Sequence, residues 1–166
     1  MSPPETSPGW ENSIATEDFY ELDFYAWVQQ QAQFLHARQW HHIDLPNLIE
    51  EIESLGKQQR QELRNRLSVL LGHLLRWHFQ PQQRRRSWLA TLRVQRRDIL
   101  RLLDENPSLK PYLEEALADA YANGRDLAMG ETNLPEATFP LGCPYSLTDI
   151  LAKDFYPGEP SDLLKG

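Results

Sequence analysis

The chain contains one cysteine, Cys143, and no apolar run approaching the ~20 residues needed to span a bilayer. A single thiol excludes an internal disulfide framework and a cysteine-based zinc cluster. Long β-branched alternating runs are missing too, so strands have no obvious home. The first residues lack the basic start and apolar stretch of a secretory signal. No Gly-rich phosphate loop, G-x-S-x-G elbow, H-E-x-x-H or Glu-x-x-His occurs. These absences predict a cytoplasmic protein with no membrane span, no cofactor and no catalytic motif.

What remains is 166 residues with helical periodicity, a length that suits one domain burying roughly two-thirds of its unfolded-chain surface. Residues 1–16 carry Pro3, Pro4 and Pro8 among small polar residues and read as a disordered tail. Residues 17–156 read as a single helical domain, and 157–166 as a frayed C-terminal tail.

Asp23 is a good N-cap for a helix reaching about Arg38, with Phe24, Val28 and Leu35 in one narrow arc. Gln31 interrupts that face. The short connection from Gln39 to Ile43 favours an antiparallel neighbour. That neighbour is the strongest helix in the sequence. Asp44 stands at its N-cap position and Pro46 in its first turn. Leu45, Leu48, Ile49 and Ile52, then Leu63, Leu67, Leu70, Leu74 and Trp77, project within about 60° of one line. The helix would be roughly 50 Å long. Gly56 lies in its weakest stretch and marks a bend or a close crossing.

A third helix, started near Ser87, has Trp88, Leu92, Ile99, Leu102 and Leu103 on its apolar face, with Gln95 inside the stripe. A fourth is expected from Ser108 to Met129, ended by Gly130. Its inner line of Leu109, Leu113, Ala116, Ala120, Gly124 and Leu127 is small enough for close helix approach. After Gly130 the chain reads as coil with apolar anchors and one short helix capped by Ser146. The fold class is therefore all-α: an antiparallel bundle of about four helices around one long central helix, with a C-terminal coil.

The net charge of −7 hides a segregation. Residues 57–101 hold 12 bases and two acids, giving +10, and the remainder holds five bases and 22 acids, giving −17. Arginine supplies 13 of the 17 bases, and its planar fork suits carboxylate and phosphate contacts. Arg86, Arg93, Arg97 and Arg101 lie opposite the apolar face of the third helix. Like charges at i,i+4 cost about 0.2–0.5 kcal/mol each when unpaired. The preferred expectation is that they meet acids of this protein, within the chain or across subunits, or are simply solvated. The alternative is an anionic partner such as nucleic acid, met by Arg84, Arg85, Arg86, Arg93, Arg97 and Arg101.

Other chemistry is sparse. His36, His41, His42 and Asp44 crowd one turn, in a spacing better explained by solvation and capping than by metal ligation. His73 and His78 flank the long apolar stripe, as boundary histidines do. Glu50 and Glu53 resemble half of a bundle carboxylate site, but Lys57 at i+4 suffices to explain Glu53. A metal-dependent enzyme ranks third, behind interaction and nucleic-acid binding.

Asp23-Phe24-Tyr25-Ala26-Trp27 and Asn47-Leu48-Ile49-Glu50-Glu51-Ile52-Glu53-Ser54-Leu55-Gly56 resemble the opening of a bacterial family known as domain of unknown function twenty-nine. Leu70-Leu71-Gly72-His73-Leu74-Leu75-Arg76-Trp77, Gln80-Pro81, Arg86-Ser87-Trp88 and Asn106-Pro107-Ser108-Leu109 continue the likeness, which covers about residues 20–156. The resemblance implies a small, intracellular, helical bacterial protein and supplies no catalytic residues. The functional expectation is a non-enzymatic interaction module that forms a homo-oligomer along the long helix.

Overall fold

The computed structural model describes residues 16–165, with side chains from Phe19 onward. Six α-helices and no strand occur among the described residues, and the fold is all-α. The expected N-terminal tail lies outside them, apart from Thr16, which opens α1. The chain groups into two compact units, residues 1–55 and 56–166. The long helix α3, Leu45–Phe79, begins in the first and continues in the second.

In the first unit α1 (Thr16–Leu22) runs into α2 (Phe24–His36) through Asp23. Asp23 donates its N–H to the Phe19 carbonyl, and its own carbonyl accepts from Trp27 N. Its side chain also caps α2 as expected, accepting from Ala26 N at 3.0 Å. Tyr20 and Phe24 pack their rings on Trp27, with centroids 5.0 and 5.6 Å away. Asp44 is used differently from the expectation. Its carboxylate accepts from the Trp27 indole Nε1 at 3.0 Å and from Asn47 Nδ2 at 2.8 Å, rather than from the first amides of α3.

In the second unit the rest of α3 packs with α4 (Arg86–Glu105), α5 (Leu113–Glu131) and the short α6 (Leu147–Leu151). Leu63, Leu67, Leu70, Leu74 and Trp77 are fully buried, joined by Leu92 and Ile99 of α4. Ala116, Ala120 and Gly124 of the expected small-residue line of α5 are buried, but the line continues through the buried Ala128, while Leu127, expected on it, is 43% exposed. The close crossing falls at Gly72 against Gly124, not at Gly56. A Cβ on Gly124 would stand 2.8 Å from the Ser68 carbonyl oxygen, whereas one on Gly56 would meet nothing within 4 Å.

The helix expected from Ser108 starts as a 3-10 stretch over Pro107–Tyr112 and becomes α-helical at Leu113. Pro107 opens this 3-10 stretch and Pro111 lies inside it. α4 starts at Arg86, a residue ahead of the expected Ser87 cap. Ser146 caps α6, accepting from Asp149 N at 3.1 Å. Residues 157–165, expected to fray, are tied down. Arg84 donates to the Pro157 and Glu159 carbonyls, and Leu163 and Leu164 pack against the core. Gly158 between those carbonyls takes φ +86°, which a side chain would resist.

Candidate interaction surface

The first unit is held by polar contacts in an unexpected place. Tyr20 donates its O–H to Glu51 Oε1 at 2.6 Å, and Asp44 N donates to Gln31 Oε1 at 2.8 Å. The Tyr20 phenol pKa is pushed up to about 12, chiefly by that hydrogen bond to a carboxylate. Later residues of the α1–α2 arm thus meet earlier residues of α3, so the two run antiparallel. Asp44, just ahead of α3, and Asn47 and Glu51 within it share one polar line, and Asp44 and Glu51 on that line bond to the arm. Gln31, which interrupted the apolar arc in the sequence, is almost wholly buried beside Trp27.

Because α3 turns its polar line to the arm, its apolar line is left over. Leu45, Ile49 and Ile52 are exposed, at 57%, 48% and 60%. On α2 the same holds for Phe24, Val28 and Leu35. On each helix the exposed stripe follows the contact residues in the same angular sense. The helices run antiparallel, so both offsets point to one side of the hairpin. The first unit therefore leaves apolar residues of both helices exposed toward one side of the hairpin. Sequence reasoning had these stripes, with cover for the long one expected from other helices of the chain or from a second copy; the described residues leave Leu45, Ile49 and Ile52 uncovered. The missed signal was the i, i+3, i+7 line of Asp44, Asn47 and Glu51.

The arginines divide into two groups. Arg84 donates to the Trp77, Pro157 and Glu159 carbonyls and stacks over Trp77, an internal structural duty. Arg85 lies over the Trp88 ring, and Arg101 pairs with Asp98 at 3.2 Å. Arg86, Arg93 and Arg97 are exposed and meet no carboxylate among the described residues. Elsewhere the basic segment does use the protein's own acids, as in Arg64 with Asp119, Arg66 with Asp98 and Arg76 with Glu131.

His36, His41 and His42 are exposed, and the His42 ring packs at a tilt against Phe34, with centroids 5.3 Å apart. Among the described residues no three His, Cys, Asp or Glu side chains gather to hold a metal. His73 donates Nδ1–H to the Val69 carbonyl at 3.0 Å, and burial lowers its pKa. Burial raises the Cys143 thiol pKa, which disfavours the nucleophilic thiolate. No described helix is long and apolar enough to cross a membrane.

Fold and surface together define an all-α protein whose most exposed chemistry is an apolar helical face and a set of unpaired arginines. The chain belongs to the family described as domain of unknown function DUF29, whose model matches residues 19–156. No curated protein and no solved structure matches it.

Proposed function

We propose that this protein is a non-enzymatic, cytoplasmic interaction module that self-associates through the apolar face of α2 and the start of α3. The observation that carries the reading is the exposure of Phe24, Val28, Leu35, Leu45, Ile49 and Ile52 on one side of one hairpin. Each is between a third and two-thirds exposed, which amounts to roughly 600 Å² of apolar side chain. A standard interface needs ~800 Å² per partner, little more than half of it apolar. A second copy is the occupant that fits this shape. Two amphipathic two-helix layers stacked about a two-fold axis close a four-helix bundle, covering both faces with identical chemistry.

Sedimentation or light scattering on the full chain tests this. A dimer is expected at micromolar concentrations, and Ile52→Glu is expected to give a monomer of unchanged helicity, since the substituted position is already exposed. A monomeric mass for the wild type at high concentration, or a dimer that survives Ile52→Glu together with Ile49→Glu, overturns the reading.

A further inference from the structure

A cavity of about 640 Å³ opens in the second unit between α4 and the segment around and after α6. Its volume falls within the range of small-molecule sites, ~300–1,000 Å³. Arg93, Arg96, Arg97 and Lys153 line it, with Asp154 as the one acid in the lining. Formal charge in the wall is therefore +3, from four cations and one anion. Arg93, Arg97 and Lys153 make no ion pair among the described residues.

Arg96 makes the site more than a surface cluster. It is 3% exposed, and its guanidinium is fixed by donating Nε–H to the Ile150 carbonyl at 2.8 Å and Nη2–H to the Phe155 carbonyl at 2.6 Å. Its Cζ lies over the Tyr156 ring, 5.2 Å from the centroid. Nη1 is buried with no hydrogen-bond acceptor, and no carboxylate pairs with the group. Burial draws the Arg96 pKa below the usual arginine value. A buried cation held by two neutral carbonyls and the Tyr156 side chain, with no carboxylate in ion-pair contact, is costly, and it attracts negative charge to the adjoining space. The rest of the wall is apolar: Leu100, Leu151, Leu164 and the Tyr156 ring.

We propose that this cavity binds a small amphipathic anion, its carboxylate or phosphate head held by Arg93, Arg97 and Lys153 and its apolar body lying on Leu100, Leu151 and Leu164. The rigid Arg96 adds positive potential from below. This binding site is separate from the apolar face of the first unit and stands whether or not the protein dimerises.

Calorimetric titration and thermal melting of the full chain test the site with octanoate, octyl phosphate, neutral octanamide and inorganic phosphate. At least one octyl anion is expected to bind saturably and raise the melting temperature. Octanamide and inorganic phosphate are expected to bind at least tenfold more weakly, because each lacks one half of the chemistry. Preference between the two octyl anions tells carboxylate from phosphate. Arg93→Ala with Arg97→Ala, at exposed positions without hydrogen bonds, should weaken binding at least tenfold while helicity is retained. Leu100→Glu, also exposed, should abolish it. The proposal is overturned if neither octyl anion binds at about 5 mM, or if octanamide binds equally well. Unchanged affinity in the arginine variant overturns it as well. A single-stranded oligonucleotide is titrated alongside, and binding restricted to it, the outcome expected of a nucleic-acid surface, overturns the proposal too.

Discussion

Alanine at position 124 would place a Cβ 2.8 Å from the Ser68 carbonyl oxygen, 2.9 Å from Leu71 Cβ and 3.0 Å from Gly72 N. Two of these neighbours are backbone atoms of α3, which cannot swing aside as a side-chain tip would. The two helices must separate, and with them the buried line of Ala116, Ala120 and Ala128. Overpacking a core by one methyl costs about 1–3 kcal/mol, and backbone contact on this scale belongs at the upper end. Against it stands the helix propensity of alanine over glycine, about 1 kcal/mol. Gly124→Ala should therefore destabilise by about 2 kcal/mol, or roughly 4–8 °C for a chain of this size. Gly56 supplies the control, since it sits inside α3 with nothing within 4 Å of its Cβ position. There the propensity acts alone, and Gly56→Ala should stabilise by about 1 kcal/mol. Gly72→Ala should fall between the two, its nearest contact being 3.1 Å. Thermal and urea unfolding followed by helical circular dichroism rank all three. Gly124→Ala as stable as wild type, beside a stabilised Gly56→Ala, would refute the close crossing of α3 and α5.

Two further outcomes follow from buried polar groups. Arg96→Lys replaces a fork that spans the Ile150 and Phe155 carbonyls by a single ammonium, and loss of a charged hydrogen bond costs about 2 kcal/mol. Amides of residues 150–156 should exchange faster with solvent, and unchanged protection there would count against the anchoring role of Arg96. His73 has a pKa lowered mainly by burial, with its Nδ1–H on the Val69 carbonyl opposing the effect. The unfolded imidazole takes up its proton near pH 6.5, the folded one only at lower pH. Its stabilising contribution is thus complete above about pH 6.5 and is lost as pH falls toward the folded value. His73→Gln should lose less stability between about pH 7 and pH 5 than wild type, as judged by denaturant midpoints. Equal losses would contradict this.

Much of the second unit could be read from residue order. The stripe from Leu63 to Trp77, the apolar face of α4 and the small-residue line of α5 follow from helical period and side-chain volume. Both are local properties that survive packing. The caps Asp23 and Ser146 were legible for the same reason, since a capping oxygen serves amides two or three residues away. The α1 helix gave no comparable signal among the polar residues around it.

Periodicity says which residues share a side of a helix, but it does not say what arrives at that side. Leu45, Ile49 and Ile52 lie on the same line as the stripe of α3 that resumes at Leu63, yet the arm docks on Asp44 and Glu51 instead. Hydrogen bonds that Trp27 and Tyr20 donate to Asp44 and Glu51, and one that Gln31 accepts from Asp44 N, decide it, and each joins residues 13 to 31 positions apart. Arg96 is the same lesson in reverse. Its neighbours Arg93 and Arg97 point outward as the helical wheel requires, while Arg96 is buried because the Ile150 and Phe155 carbonyls fold back over it. A local pattern assigns direction, and only distant chain segments, brought together by burial and hydrogen-bond satisfaction, settle whether that direction faces a neighbour or water.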